Sequence, residues 1–270
     1  MSTPVPIPRR IIQTGKNRQL PPMAQAAVKL LRLQHPDWEY LFFDDAAVER
    51  FIATEFPQYR SIYDSFPHRI QRFDFFRYLA VLRWGGFYFD LDVFITEELT
   101  ELLPHGCVFP FEELTLNRFL RDRCGIDWEL GNYAFAAAAG DPFLAAIVEN
   151  CIRAQRDAAW ARSLCRGIPA PFRSRFEVLN TTGPGLVTRT FAERSPASVK
   201  ILFPADVCDE TQWHRFGRFG IHAMEATWRE PGSFLGRKAA LYWETRTRRQ
   251  TLAQSRARGQ TRTWPQTAHA

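Results

Sequence analysis

The sequence predicts an α/β domain built on a largely parallel sheet, and three observations predict it. The chain opens strand, helix, strand, helix. Its most apolar helix runs into its most apolar strand through a Gly-Gly pair. A strand, turn and helix follow again further on. Such alternation lays helices against the faces of a parallel sheet. With 270 residues and 46% hydrophobic composition, the chain can bury a substantial core in one large domain, with or without a sub-lobe.

The elements follow in order. "RRIIQTG" reads as a short strand ending in a glycine turn. "PPMAQAAVKLLRLQHPDW" starts as a helix at Pro21 and Pro22, with Ala, Val and Leu at helical spacing up to His35-Pro36. "WEYLFFDD" is a second strand and "AAVERFIATEF" a second helix. "HRIQRFDFFRYLAVLRWGG" is a helix that Gly85 stops, apolar nearly all round and so buried on most sides. "FYFDLDVFI" reads as one continuous third strand. "NYAFAAAAGDPFLAAIVENCIRAQ" gives a strand, a turn at Gly140-Asp141-Pro142 and a helix. "EVLNTTGPGLVTRTFAE" has a Gly/Pro turn before a helix, and "VKILFPADV" and "FGIHAMEATW" are late short strands. Residues 1–244 form the domain. Residues 245–270, rich in Arg, Gln and Thr and almost without acids, are expected to be a flexible basic tail.

Composition narrows the class. The formal charge is +6, carried mostly by arginine, which favours anionic partners without choosing among them. Cys107, Cys124, Cys151, Cys165 and Cys208 form no CxxC pair and no metal-finger spacing, so reduced thiols are expected rather than a disulfide framework. The first residues lack an apolar signal core, and no stretch reaches the length of a membrane span. The expectation is a soluble, cytoplasmic protein. "FLGRKAALYWETRTRR" combines Leu, Tyr and Trp with arginines, as a segment lying on an anionic membrane surface does; an ordinary packed helix with a solvated tail has the same pattern.

The chemistry centres on Asp90-Leu91-Asp92. In an extended segment residues two apart share a side, so both carboxylates would face one site while Leu91 points into the core. Two carboxylates that close repel, and a Mg²⁺ or Mn²⁺ ion shared with phosphate oxygens would relieve them. A solvated turn with two incidental acids is the plainer alternative. Asp74 and Arg77 lie at i, i+3 in an apolar helix: either a simple ion pair, or an aspartate orienting a guanidinium fork towards a phosphate or sugar. Gly85-Gly86 would let backbone approach a ligand.

"FDFFRYLAVLRWGGFYFDLDV" resembles the core signature of glycosyltransferases with a DXD sugar-binding motif. These include yeast-type initiating α-1,6-mannosyltransferases, inositol-phosphoceramide mannosyltransferases, bacterial capsule and lipopolysaccharide transferases and, more distantly, clostridial glucosylating toxins. The matching positions are Asp74, Arg77, Tyr78, Leu82, Gly86, Tyr88, Asp90 and Asp92, in order, with Gly85 at the helix end. "IPRRIIQTGK", "HPDWEYLFFDD", "GNYAFAAAAGDPFL", "TTGPG" and "IHAMEATW" resemble further family segments, so the likeness runs from Ile7 to Trp228. Ile12 and Gly15 depart from it, standing where the family usually has His and Trp, and Asp141 replaces a His.

The resemblance implies a GT-A fold: a single Rossmann-like nucleotide-sugar-binding domain with a mostly parallel sheet and helical additions. It implies a retaining, Mn²⁺- or Mg²⁺-dependent transferase moving a hexose from a UDP- or GDP-sugar to a glycan, lipid-linked or small-molecule acceptor, in polysaccharide biosynthesis, with no nucleic acid involved. Asp74, Arg77, Asp90 and Asp92 would be catalytic. Gln13, Thr14, Gly15, Asp74, Arg77, Gly86, Tyr88, Asp90 and Trp228 would bind the donor. Asn132, Thr182 and Gly183 would face the acceptor, and Asp90, Asp92 and His222 would hold the metal. Location would be cytoplasmic, with peripheral contact at the inner face of a membrane. Glu112 and Glu113 are weaker candidates for a nucleophile; a solvated acidic loop explains them too. His35, His68, His105, His214 and His269 have no partner identifiable from sequence. A metal-dependent phosphohydrolase or nucleotidyltransferase, or a non-catalytic sugar-nucleotide-binding protein, are the competing readings.

Overall fold

The computed structural model describes residues 5–166, 168–196, 198–224 and 234–257. The chain begins β1 (Arg10–Thr14), α1 (Pro22–Gln34), β2 (Glu39–Phe43), α2 (Asp45–Glu55) and α3 (Arg60–Ser65), then α4 (Arg69–Trp84), β3 (Gly86–Phe89) and β4 (Val93–Ile95). It continues through β5 (Cys107–Leu114), α5 (Arg118–Arg123), β6 (Trp128–Leu130), β7 (Ala134–Ala137), α6 (Pro142–Arg156) and α7 (Ala158–Ser163). The last elements are α8 (Glu177–Thr181), α9 (Pro184–Arg194), β8 (Val199–Leu202), β9 (Arg215–Phe216), β10 (Gly220–His222) and α10 (Phe234–Ala257).

The large sheet runs β2-β1-β3-β7-β5-β6, with β8 paired to β5. Pairing is parallel across β2-β1-β3 and between β5 and β8, and antiparallel where β7 and β6 join. The first half is the strand-helix alternation read from the sequence. Successive residues of one strand face opposite sides. Phe87 and Phe89 therefore enter one core with Ile11, while Tyr88 enters the other with Ile12 and α4. Phe109 and Phe135 stack at 5.1 Å under that second core, each burial contributing roughly 1.5–3 kcal/mol.

α4 is held at both ends. Gln71 accepts from the His68 backbone in a capping box, and Gly85 turns out of the helix at φ 67°. Gly85 and Gly86 do not open space for a ligand, contrary to the sequence expectation. A Cβ on Gly85 would sit 2.8 Å from Pro8 Cδ and from the Ala139 nitrogen; one on Gly86, at φ 115°, would sit 2.6 Å from the Arg10 carbonyl oxygen. The pair lets β3 pass hard against β1.

Two further expectations change. The third strand is not continuous: β3 ends at Phe89, and Asp90 to Asp92 form a turn closed by the Val93 N–H donating to the Asp90 carbonyl at 3.2 Å. Burying both carboxylates in a straight strand would strip their hydration, and a turn avoids that. Residues 245–257 are not a loose tail but the second half of α10. Thr251 and Leu252 are buried there, and Arg121 donates to Thr251 at 3.2 Å. All five cysteines are unbridged.

Gly86→Ala should destabilise the fold by more than about 1 kcal/mol, because alanine meets both a positive φ and the β1 backbone. Thermal unfolding should show a midpoint several degrees lower; an unchanged midpoint would mean β1 and β3 do not approach this closely.

Candidate active site

A cavity of about 800 Å³ opens at the carboxyl ends of β1 and β3, where ligands lie in open sheets of this kind. Thr14, Gly15, Lys16, Asp74, Arg77, Tyr88, Asp90, Leu91 and Asp92 all reach its wall. Leu91 is thus on the cavity side and not in the core. A Cβ on Gly15 would stand 3.0 Å from Leu91 Cδ1 and from Phe42 Cζ, so a larger residue at position 15 would push on those two side chains.

The turn is fastened from below. Asp90 N–H donates to the Tyr133 carbonyl at 2.7 Å. Gln13 Nε2 donates to the carbonyls of Phe89 and Asp90, both at 3.4 Å, while Tyr40 Oη donates to Gln13 Oε1 at 2.9 Å. Gln13 is fully buried. It supports the turn and does not face the cavity, a correction to its expected donor contact. Gly86, buried in the sheet against β1, is likewise away from the cavity wall.

Asp74 and Arg77 form a buried network, each under 5% exposed. Arg77 Nη1 donates to the Asn132 carbonyl at 2.8 Å and to Asp90 Oδ2 at 3.3 Å. Its Nη2 lies 3.2 Å from both Asp74 Oδ1 and Asp90 Oδ1. The guanidinium also rests over the Tyr88 ring, 4.6 Å from its centroid, and Tyr88 Oη donates to Asp90 Oδ1 at 2.7 Å. Both terminal nitrogens are therefore committed, and only Nε is left without a partner among the described residues. The expected fork towards a phosphate is spent inside the protein, on holding Asp90.

Asp74 is similarly engaged. Thr182 Oγ1 donates to its Oδ2 at 2.7 Å, and Asn132 Nδ2 to its Oδ1 at 3.2 Å. Thr182 is fully buried and braces the network from behind; Asn132, which also donates to Tyr78 Oη, and Gly183 both line the cavity. Burial pushes the Asp74 carboxyl up to about 6, against the pull of Arg77 and Thr182. Burial raises Asp90 too, with Arg77 opposing it. Arg77 itself is held above its ordinary value: burial works against its charge, and Asp90 and Asp74 outweigh that.

Asp92 faces the other way. The pairing of β10 with β4 sets His222 opposite Val93, and His222 Nε2 lies 3.3 Å from Asp92 Oδ2. Ligand atoms of Asp90, Asp92 and His222 fall within 4.8 Å of one another, a group able to hold a metal ion. The His222 ring stacks on Tyr133 at 4.2 Å, which fixes its plane, and its Nδ1 is buried without a partner among the described residues. Trp228, expected beside the donor, lies outside the described residues.

The cavity continues into a second cluster that sequence reading only half saw. His214 Nδ1 lies 3.4 Å from Glu112 Oε1 and its Nε2 3.9 Å from Glu113 Oε2. Arg248 of α10 donates to Glu113, and Thr115 to Glu129. The Glu112-Glu113 pair was visible in sequence; His214, Glu129 and Arg248 join it only through the sheet and α10. Burial pushes the Glu129 carboxyl up to about 8.

A mixed α/β domain thus carries a braced Asp-x-Asp turn at the strand ends of its central sheet. Residues 21–109 match the family described as "Glycosyltransferase sugar-binding region containing DXD motif". The chain is 33% identical over 147 residues to inositol phosphoceramide mannosyltransferase 3 of Schizosaccharomyces pombe, covering 54% of this chain and 38% of that protein. It is 25% identical over 205 residues to the same organism's initiation-specific alpha-1,6-mannosyltransferase, covering 67% and 47%. The chain spans less than half the length of either. Its fold matches that of the PaToxG glycosyltransferase with a TM-score of 0.51 at 14% identity, over 93% of this chain and 80% of that one. The kind of enzyme these matches share is a glycosyltransferase.

Glu129 gives a pH test. Its folded-state value lies above the ordinary 4.5, so the folded protein binds this proton more tightly than the unfolded chain. Stability from this group is full below about 4.5 and is lost as pH rises towards 8. The thermal midpoint of the wild type should fall between pH 5 and 8, and Glu129→Gln should flatten that fall. An equally steep fall in the variant would rule Glu129 out as its source.

Proposed function

We propose that this chain is a metal-dependent, retaining glycosyltransferase. It moves a hexose from a UDP- or GDP-sugar to a hydroxyl of a glycan, a lipid-linked saccharide or a small molecule. The observation that carries this reading is the grouping of Asp90, Asp92 and His222 within 4.8 Å at the mouth of the cavity, inside the matched sugar-binding region. Hard carboxylate oxygens suit Mg²⁺ or Mn²⁺, and an imidazole beside them leans towards Mn²⁺. Such an ion, when bound, supplies positive charge against the diphosphate that departs.

The chain's own residues do the rest. Arg77 and Tyr88 hold Asp90 in one rotamer, so the site is preorganised. Thr14, Gly15 and Leu91 wall the side on which the nucleotide would lie, and Lys16 and Arg69 bring positive charge to the same cavity. Attack by the acceptor hydroxyl on the face of the departing diphosphate would retain configuration at the anomeric carbon. The new C–O bond would form as the old one breaks, and the hydroxyl proton would pass to the leaving phosphate.

The relatives are named as mannosyltransferases, so GDP-mannose heads the donors to try. Donor hydrolysis and transfer should appear with Mn²⁺ across a panel of UDP- and GDP-hexoses and vanish with chelator. Asp92→Ala should lower the rate by about 10²–10³, the usual loss of a major charge-stabilising group. A rate that survives Asp92→Ala would reject the metal role.

We further propose a cytoplasmic protein that touches an anionic membrane through α10. Leu241 and Tyr242 are 61% and 70% exposed, and Arg246 and Arg249 are exposed on the same helix. Apolar side chains flanked by arginines suit a lipid surface. Co-sedimentation with phosphatidylserine vesicles should drop several-fold in Leu241→Asp/Tyr242→Asp; equal binding would exclude this surface.

A further inference from the structure

The second cluster of the cavity is built for a ligand, and the donor chemistry does not call on it. β5 loses its regular register between Phe111 and Leu114. A strand in register sends neighbours to opposite faces, and an irregularity can turn both to one side. Here the consecutive Glu112 and Glu113 both reach the cavity wall. Arg248 answers Glu113. Glu112 is left with one buried oxygen, Oε2, that has no partner among the described residues.

Tyr133 is the second, independent observation. It is only 2% exposed, it lines the same cavity, and its hydroxyl has no partner among the described residues. Leaving a buried hydroxyl unpaired costs about 1–3 kcal/mol, which a ligand would recover. The phenol ring is fixed by its stack on His222. A Cβ on Gly131 would fall 2.5 Å from Tyr133 Cε1 and 2.6 Å from Glu112 Oε2. Any other residue there would wedge between the phenol and the carboxylate.

His214 closes the group. Its backbone sits at φ 55°, a left-handed conformation unusual for such a residue. Two hydrogen bonds hold it there: its N–H donates to the Glu112 carbonyl, and its carbonyl accepts from the His222 N–H, both at 3.0 Å. Its Nδ1, though 3.4 Å from Glu112 Oε1, makes no well-formed hydrogen bond. The same strand segment thus ties this cluster to the Asp92–His222 pair.

The unpaired groups are a carboxylate oxygen, a phenol and an imidazole nitrogen. A sugar or polyol hydroxyl both donates and accepts, so two adjacent hydroxyls can satisfy carboxylate and phenol together. An anionic group would instead meet Glu112 and Glu113 at close range. Glu129, which burial keeps protonated to about pH 8, adds an O–H donor to the same wall.

We propose that Glu112, Tyr133 and His214 form the acceptor subsite, and that the acceptor presents to it an uncharged pair of neighbouring hydroxyls. This rests on the glycosyltransferase reading.

The test measures partition between transfer and hydrolysis on the full chain with Mn²⁺, using whichever donor it hydrolyses. The acceptor probes are myo-inositol and methyl α-D-mannopyranoside. At least one should compete with water in the wild type. Tyr133→Phe, which keeps the ring on His222, and Glu112→Gln, which keeps the shape, should each lower the transfer-to-hydrolysis ratio about fivefold to tenfold, the worth of one hydrogen bond. Thermal midpoints near the wild type would show that both variants fold. An unchanged ratio in both, or no competition by either probe in a wild type that hydrolyses donor, would overturn the subsite. A wild type that hydrolyses no donor would overturn the transferase reading and the subsite with it.

Discussion

Everything at this site depends on one buried cation. Arg77 sits between Asp74 and Asp90 with both terminal nitrogens engaged. Burying a guanidinium costs several kcal/mol unless carboxylates and carbonyls surround it. Here two aspartates, the Asn132 carbonyl and the Tyr88 ring do so. The reverse holds as well, because neither aspartate could stay ionised in these surroundings without Arg77. The helix and the turn that carry the three charges, and the strand that carries Tyr88, are thereby locked into one arrangement. Asn132, Thr182 and Tyr78 extend the lock to β7, α8 and α9, so elements distant in sequence position one carboxylate.

The sequence made the centre of this arrangement legible, because Asp74, Arg77, Asp90 and Asp92 lie within one short stretch and the spacing of helix and strand is local. It misled wherever a residue's partner lies far along the chain. The resemblance made Gln13 a donor contact; Tyr40 and the Asp90 carbonyl claim it. Thr182 looked acceptor-facing and is claimed by Asp74. Gly86 looked like room for a ligand and is room for β1. In each case the polar or small residue is present for a tertiary contact that no window of sequence contains. The turn at Asp90–Asp92 is a different failure. Alternation in "FYFDLDVFI" is a strand pattern, and the price of dehydrating two carboxylates decided against a continuous strand.

His214 and Glu129 show the same limit from the other side. Neither carries a local pattern that marks it. His214 becomes a partner of Glu112 only because β9 and β10 fold back along β4, and Glu129 enters the wall only through the pairing of β6 with β5. The one local hint was the doubled glutamate in "PFEELTLN".

The two aspartates of the turn are not equivalent, and the asymmetry has a use. Asp90 gives its oxygens to Arg77 and Tyr88 and is thereby immobilised. Asp92 instead meets His222, whose Nε2 lies 3.3 Å from its Oδ2. Three carboxylates thus meet around one buried arginine, and burial raises both Asp74 and Asp90 against the pull of Arg77. In the proposed transferase a divalent ion, held by Asp90, Asp92 and His222, would answer that crowding of carboxylates. A nucleotide diphosphate, itself strongly anionic, would meet these carboxylates in a cavity that Lys16 and Arg69 also line, and the ion would ease its approach to the carboxylate side. The electrostatics of the proposed transferase therefore favour binding of the donor together with the cation over binding of the donor alone.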